Sequence, residues 1–124
     1  MILSGSSDII QKCEFMESGK QVGCQRLTFA NNLVLVISET FLALYKNEAC
    51  IEDELGNGLS ALVELSSDDQ LQQTEQGLVR EFRAGYVGLM DEKVILITPN
   101  DIQLFHNKQD ALGNKNEITR LKLA

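Results

Sequence analysis

A chain of 124 residues with 44% hydrophobic residues has the apolar content for a packed core, which excludes a disordered polypeptide. Its formal net charge of −7 traces to residues 47–79, which hold eight Asp/Glu and no Lys, Arg or His. That excess of carboxylates argues against direct nucleic-acid binding, which depends on Lys and Arg meeting phosphates.

The opening MILSGSSD lacks a basic stretch followed by a long apolar one, and no unbroken apolar run exceeds Leu33–Ile37. Neither a secretory signal nor a membrane span is therefore expected. Ser7-Asp8 followed by Ile9, Cys13 and Met16 has helical spacing and stops before Gly19, which suggests a short amphipathic helix, with a strand as the alternative. Cys13, Cys24 and Cys50 are odd in number and widely spaced. They fit neither a disulfide framework nor a zinc site, and are read as reduced thiols of a cytoplasmic protein.

Next comes a pattern that the chain uses twice. LVLVISETFLALYKN (33–47) returns as KVILITPNDIQLFHN (93–107), sixty positions on, with Ile37/Ile97, Ser38/Thr98, Leu42/Ile102, Leu44/Leu104, Tyr45/Phe105 and Asn47/Asn107 in phase. Each copy holds a short β-branched run, a few polar residues and an alternating segment, which is the pattern of a β-hairpin. Pro99-Asn100-Asp101 supplies turn chemistry in the second copy.

Weaker echoes flank the hairpins. Glu14-Phe15 and Val22-Gly23 match Glu81-Phe82 and Val87-Gly88, and Leu55-Gly56-Asn57 matches Leu112-Gly113-Asn114. Strands are expected at 22–29 and 79–89 before the hairpins, and at 62–65 and 118–123 after them. Between the halves, Ser67-Asp68-Asp69-Gln70 has a capping pattern with Gly77 as a stop, giving a short helical turn or a linker.

The expected fold is mainly β: a single domain of two similar halves, about 1–62 and 63–124. Each half is an antiparallel four-stranded meander, with one or two short helices in the chain, and an α+β arrangement is the alternative. Two blade-like meanders are too few to close a propeller. A barrel or sandwich buries both apolar faces and limits free edges.

Catalytic constellations are missing from the sequence. The one histidine, His106, occupies the place of Lys46 in the first copy, and no nucleophile, base and orienting acid can be grouped around it. Gly56-Asn57-Gly58 lacks the glycine spacing and following Lys-Ser or Lys-Thr of a phosphate cradle, and reads as a turn. No cofactor is implied. Glu52-Asp53-Glu54 lacks the alternating spacing of a calcium loop, so no metal site is assigned.

The acidic run carries the functional expectation. Glu48, Glu52, Asp53, Glu54, Asp68 and Asp69 are candidates for contact with a basic protein partner, because exposed charge of one sign steers association with the other. The matching stretch of the second copy, KQDALGNKNE, is nearly balanced, so the fold does not require the charge. The expectation is a non-enzymatic binding module without membrane or direct nucleic-acid contact, in an inhibitor, immunity or assembly role. A small-ligand-binding barrel and an oligomerising structural subunit are the alternatives.

Overall fold

Among the described residues, ten strands form two five-stranded antiparallel sheets. The computed structural model describes residues 10–15, 24–30, 32–52, 58–75, 77–83, 85–98 and 100–122. The first sheet is a meander of β1 (Ile10–Phe15), β2 (Gln25–Phe29), β3 (Val34–Ile37), β4 (Phe41–Tyr45) and β5 (Leu59–Glu64). The second repeats it with β6 (Val79–Arg83), β7 (Tyr86–Leu89), β8 (Val94–Ile97), β9 (Asp101–Phe105) and β10 (Thr119–Lys122). A 3₁₀ helix (Glu48–Glu52) follows β4, and the short helix α1 (Lys108–Gly113) follows β9.

The mainly β pair of like meanders is as the sequence implies, but each has five strands. The helical spacing around Cys13 is overridden, because β1 pairs along β2 and turns Cys13 toward the core opposite Leu27. In the second half, 79–89 divides at Gly85, whose φ of +76° suits glycine and lets β6 fold back onto β7. Residues 67–69 form a turn rather than a helix.

The duplication is visible in the pairing itself. Ile37 pairs with Leu42 and Leu35 with Leu44, as Ile97 pairs with Ile102 and Ile95 with Leu104. Preceding turns match too, since Phe29 N donates to Leu33 O and Leu89 N to Lys93 O, both at 2.9 Å. The first strand of each sheet carries a bulge at the same place, between Ile10 and Lys12 and between Val79 and Glu81. These pairings set Cys13, opposite Leu27, in the place of Phe82, opposite Val87. The upstream echo of Glu14-Phe15 with Glu81-Phe82 is thus two residues out of register: the β1–β2 connection is longer than the β6–β7 turn. Val22-Gly23 and Leu55-Gly56-Asn57 lie outside the described residues.

Short polar residues close the hairpins in both copies. Ser38 N donates to Phe41 O, while Ser38 Oγ accepts from Thr40 N at 3.1 Å. Thr98 N donates to Asp101 O, and Thr98 Oγ1 accepts from Asn100 N and Asp101 N. Asn47 and Asn107 cap the helices that follow, with their Oδ1 atoms accepting from Cys50 N (3.1 Å) and Asp110 N (2.8 Å).

The two sheets stack face to face as an open sandwich, and the described residues close no barrel. Leu27, Leu35, Ile37, Leu42 and Leu44 of one sheet meet Val87, Ile95, Ile97, Ile102 and Leu104 of the other in a single core. Inward and outward residues alternate along each strand, so each sheet has a second, outer face. Val34, Val36, Ala43 and Tyr45 form the outer face of the first sheet, packed by Cys50 and Ile51 of the 3₁₀ helix. Val94 and Phe105 do so in the second, beneath Ala111 of α1. Gly58 lies so close to Cys50 that an added Cβ would overlap its Cβ and Sγ, which lets the 3₁₀ helix sit tightly on the sheet.

A buried amide ties the sheets together. Gln25 Oε1 accepts from Leu78 N (2.5 Å) and Val79 N (2.8 Å), fixing the entry to β6 against β2. Among the described residues no helix is long and apolar enough to cross a membrane.

Candidate functional site

Outward residues of β4 and β5 form a groove of about 380 Å³ on the first sheet, lined by Phe41, Ala43, Tyr45, Leu59, Leu62 and Glu64. Register explains the lining: Phe41 lies opposite Glu64, Ala43 opposite Leu62 and Tyr45 opposite Leu59, so the side chains of each pair rise on one face. The floor is apolar and open to water. Leu62 is 50% exposed and Leu59 37%, in a fold whose inward residues are almost fully covered.

The second copy fills the same place differently. Counting along the matched strands, Phe41, Ala43, Leu62 and Leu59 correspond to Asp101, Gln103, Arg120 and Glu117. There, Arg120 donates to both carboxylate oxygens of Glu117 at 2.8 Å and lies 3.2 Å from Asp101. Asp101 in turn accepts from Thr98 Oγ1 (2.7 Å) and Gln103 Nε2 (2.9 Å). The Glu117 hydrogen bond raises the Arg120 pKa. A closed polar network therefore stands where the first copy leaves apolar surface. Glu64 becomes Lys122, which also reverses the charge at the rim.

The acidic run is not one continuous face. Because β4 and β5 are antiparallel, Glu48 lies beyond the Tyr45–Leu59 end and Asp68 beyond the Phe41–Glu64 end. Four residue steps separate these ends, about 13 Å at strand spacing. The groove is therefore acidic at its Glu64 end, whereas the Glu48 carboxylate turns toward Thr28 on β2, away from β4 and β5. Glu48 is exposed and its Oε1 accepts from Thr28 Oγ1 at 3.3 Å. Asp68 is exposed, while Asp69 is half-buried and accepts from Ser66 Oγ at 2.9 Å. Glu52 ends the 3₁₀ helix, and Asp53 and Glu54 lie outside the described residues.

Sequence reasoning did not anticipate the partners of this site. Glu64 is part of the run, but Leu62 reads as an ordinary strand residue, Leu59 falls before the strand expected at 62–65, and Glu39 lies outside the run altogether. At its Glu64 end the groove meets a polar cleft of about 570 Å³ lined by Glu39, Asp68, Gln70, Gln72 and Lys93 among others. Leu65 N donates to Thr40 O and Leu71 N to Glu39 O, which hold the two depressions side by side. Lys93 is already paired with Asp91 at 3.0 Å. Glu39, Glu64 and Asp68 make no ion pair with a described residue.

His106 is exposed at the end of β9, as Lys46 is at the end of β4. All three cysteines are free. Burial, with the Glu14 carboxylate beside it, pushes the Cys13 thiol up to about 11, and burial also raises Cys24 against an opposing hydrogen bond from Ser38. Such thiols are poor nucleophiles at neutral pH. Among the described residues no cluster of His, Cys, Asp and Glu is arranged to hold a metal ion.

No family model matches the chain, and no curated protein or solved structure matches it.

Proposed function

We propose that this protein is a non-enzymatic binding module that docks a basic protein partner on the outer side of its first sheet. The observation that carries this reading is the asymmetry between two otherwise matched faces. The second copy satisfies its outer β9–β10 surface with the Asp101–Arg120–Glu117 network, while the first leaves an apolar groove with carboxylates at its Glu64 end. Exposed apolar surface inside a polar rim is the usual anatomy of a contact site, and charge at the rim governs encounter with the partner.

A carrier would hold its ligand between the sheets, where Leu35, Leu44, Ile95 and Leu104 pack instead. The three free thiols support a reducing compartment such as the cytoplasm.

The test uses the immobilised chain to capture partners, each of which is then purified and measured alone. A basic protein should bind more weakly as salt rises, because exposed charges are screened over about 10 Å at 0.1 M. Replacing Glu39, Glu64 and Asp68 together by Gln, Gln and Asn should slow its association, whereas Glu81→Gln with Asp110→Asn should not. Equal effects of the two sets, or binding indifferent to salt, would refute the reading.

A further inference from the structure

The groove has a chemical gradient that defines what fits it. Its Tyr45–Leu59 end and floor are apolar, and at the opposite end Glu64 leads into the cleft that holds Glu39 and Asp68. Those three carboxylates have no described ion-pair partner; in the second copy Lys122 stands in the place of Glu64, and Glu117, in the place of Leu59, is neutralised by Arg120. An occupant must therefore bring both apolar surface and positive charge, spaced by less than the roughly 13 Å length of the groove.

We propose that the β4–β5 groove seats a single segment of the partner, in which an apolar side chain rests between Ala43, Tyr45 and Leu62 while a neighbouring Lys or Arg meets Glu64. This rests on the docking function above and adds where the contact lies and what chemistry it recognises. The division of labour is physical. Burying Leu59 and Leu62 supplies the affinity, since both expose apolar area that an occupant would remove from water. The carboxylates supply orientation, because a cation at the Leu59 end would lie far from Glu64.

Three synthetic peptides test it: alternating Leu and Lys, alternating Ser and Lys, and alternating Leu and Glu. Binding is followed by fluorescence anisotropy and by methyl NMR shifts. The Leu/Lys peptide should bind with shifts concentrated at Ala43, Leu59 and Leu62. Leu62→Ser, at a half-exposed position, should weaken that binding about tenfold with an unchanged unfolding midpoint, while Leu112→Ser on α1 should have no effect.

If the Leu/Lys and Ser/Lys peptides bind equally and ignore Leu62→Ser, attraction is by charge alone. The groove assignment then falls while the docking function stands. Equal binding of the Leu/Glu peptide would refute the charge requirement. Binding by none of the peptides, while the captured basic partner still binds the chain and is indifferent to Leu62→Ser, would overturn the groove alone; if no basic partner binds either, both readings fall. Concentration-dependent shifts at the same methyls in the protein by itself would make a second copy the occupant, and would also overturn the proposal.

Discussion

Removing the acceptor at position 25 should destabilise the whole sandwich, although the residue lies in a single strand. Gln25 is 5% exposed, and its Oε1 accepts two backbone hydrogens from the segment entering β6, at 2.5 and 2.8 Å. Gln25→Met keeps the shape and removes the acceptor. Leaving a buried donor unpaired costs about 1–3 kcal/mol, so two donors lose about 2–6 kcal/mol before the gain from burying a more apolar side chain, about 1 kcal/mol. A net loss of about 1–5 kcal/mol is expected, a large share of the stability of an ordinary domain. Gln25→Asn keeps the chemistry but is shorter by one methylene and should lose a similar amount, because the bonds depend on reach. Denaturant unfolding gives the free energies, and hydrogen exchange at Leu78 and Val79 gives the local readout. If both variants stay within about 0.5 kcal/mol of the parent, or protection at those amides is unchanged, the bridge contributes nothing and the reasoning fails.

Three further outcomes follow from the duplicated architecture and the buried thiols. Leu44→Ala and Leu104→Ala, at matched positions that are 1% and 0% exposed, should each lose about 2–5 kcal/mol in denaturant unfolding, and a midpoint shift near zero for either would remove it from the core. Glu92 has a φ of +76°, where the matched residue of the first copy is Asn32 at +77°; Glu92→Asn should raise the unfolding free energy by about 0.5–1 kcal/mol, net of an exposed ion pair to Arg80. A destabilised variant would show that the pair outweighs the backbone relief. The Cys13 thiol, raised to about 11 from an ordinary 9.0, favours the fold while protonated, so its contribution is full below pH 9 and is lost as pH rises through 11. Alkylation of Cys13 should accelerate over that interval; fast reaction at pH 8 would contradict its burial.

The repeat at sixty residues was enough to establish two like antiparallel meanders and the core positions of Ile37, Leu42 and Leu44 with their partners Ile97, Ile102 and Leu104. Residues in phase at strand spacing must face the same way in both copies, and the pairing confirms it. Asn47 and Asn107 were also in phase, but their role as helix caps emerged only where each side chain met a backbone N–H three residues on. Strand number was hidden because β1 carries helical spacing and β6–β7 reads as one run, and in both cases pairing with a neighbour outweighed local preference. The site was the least legible part. Eight carboxylates in one stretch of sequence suggested one patch, whereas Glu48 turns toward Thr28 on β2 and Asp68 lies beyond the far end of the β4–β5 hairpin. Leu59 and Leu62 become exposed floor because they and Ala43 stand where the second sheet has the mutually bonded Glu117, Arg120 and Gln103, and apolar side chains cannot close such a network. Sequence periodicity determines which face a residue joins, and only the tertiary structure decides whether that face is covered, because covering depends on what other parts of the chain bring to it.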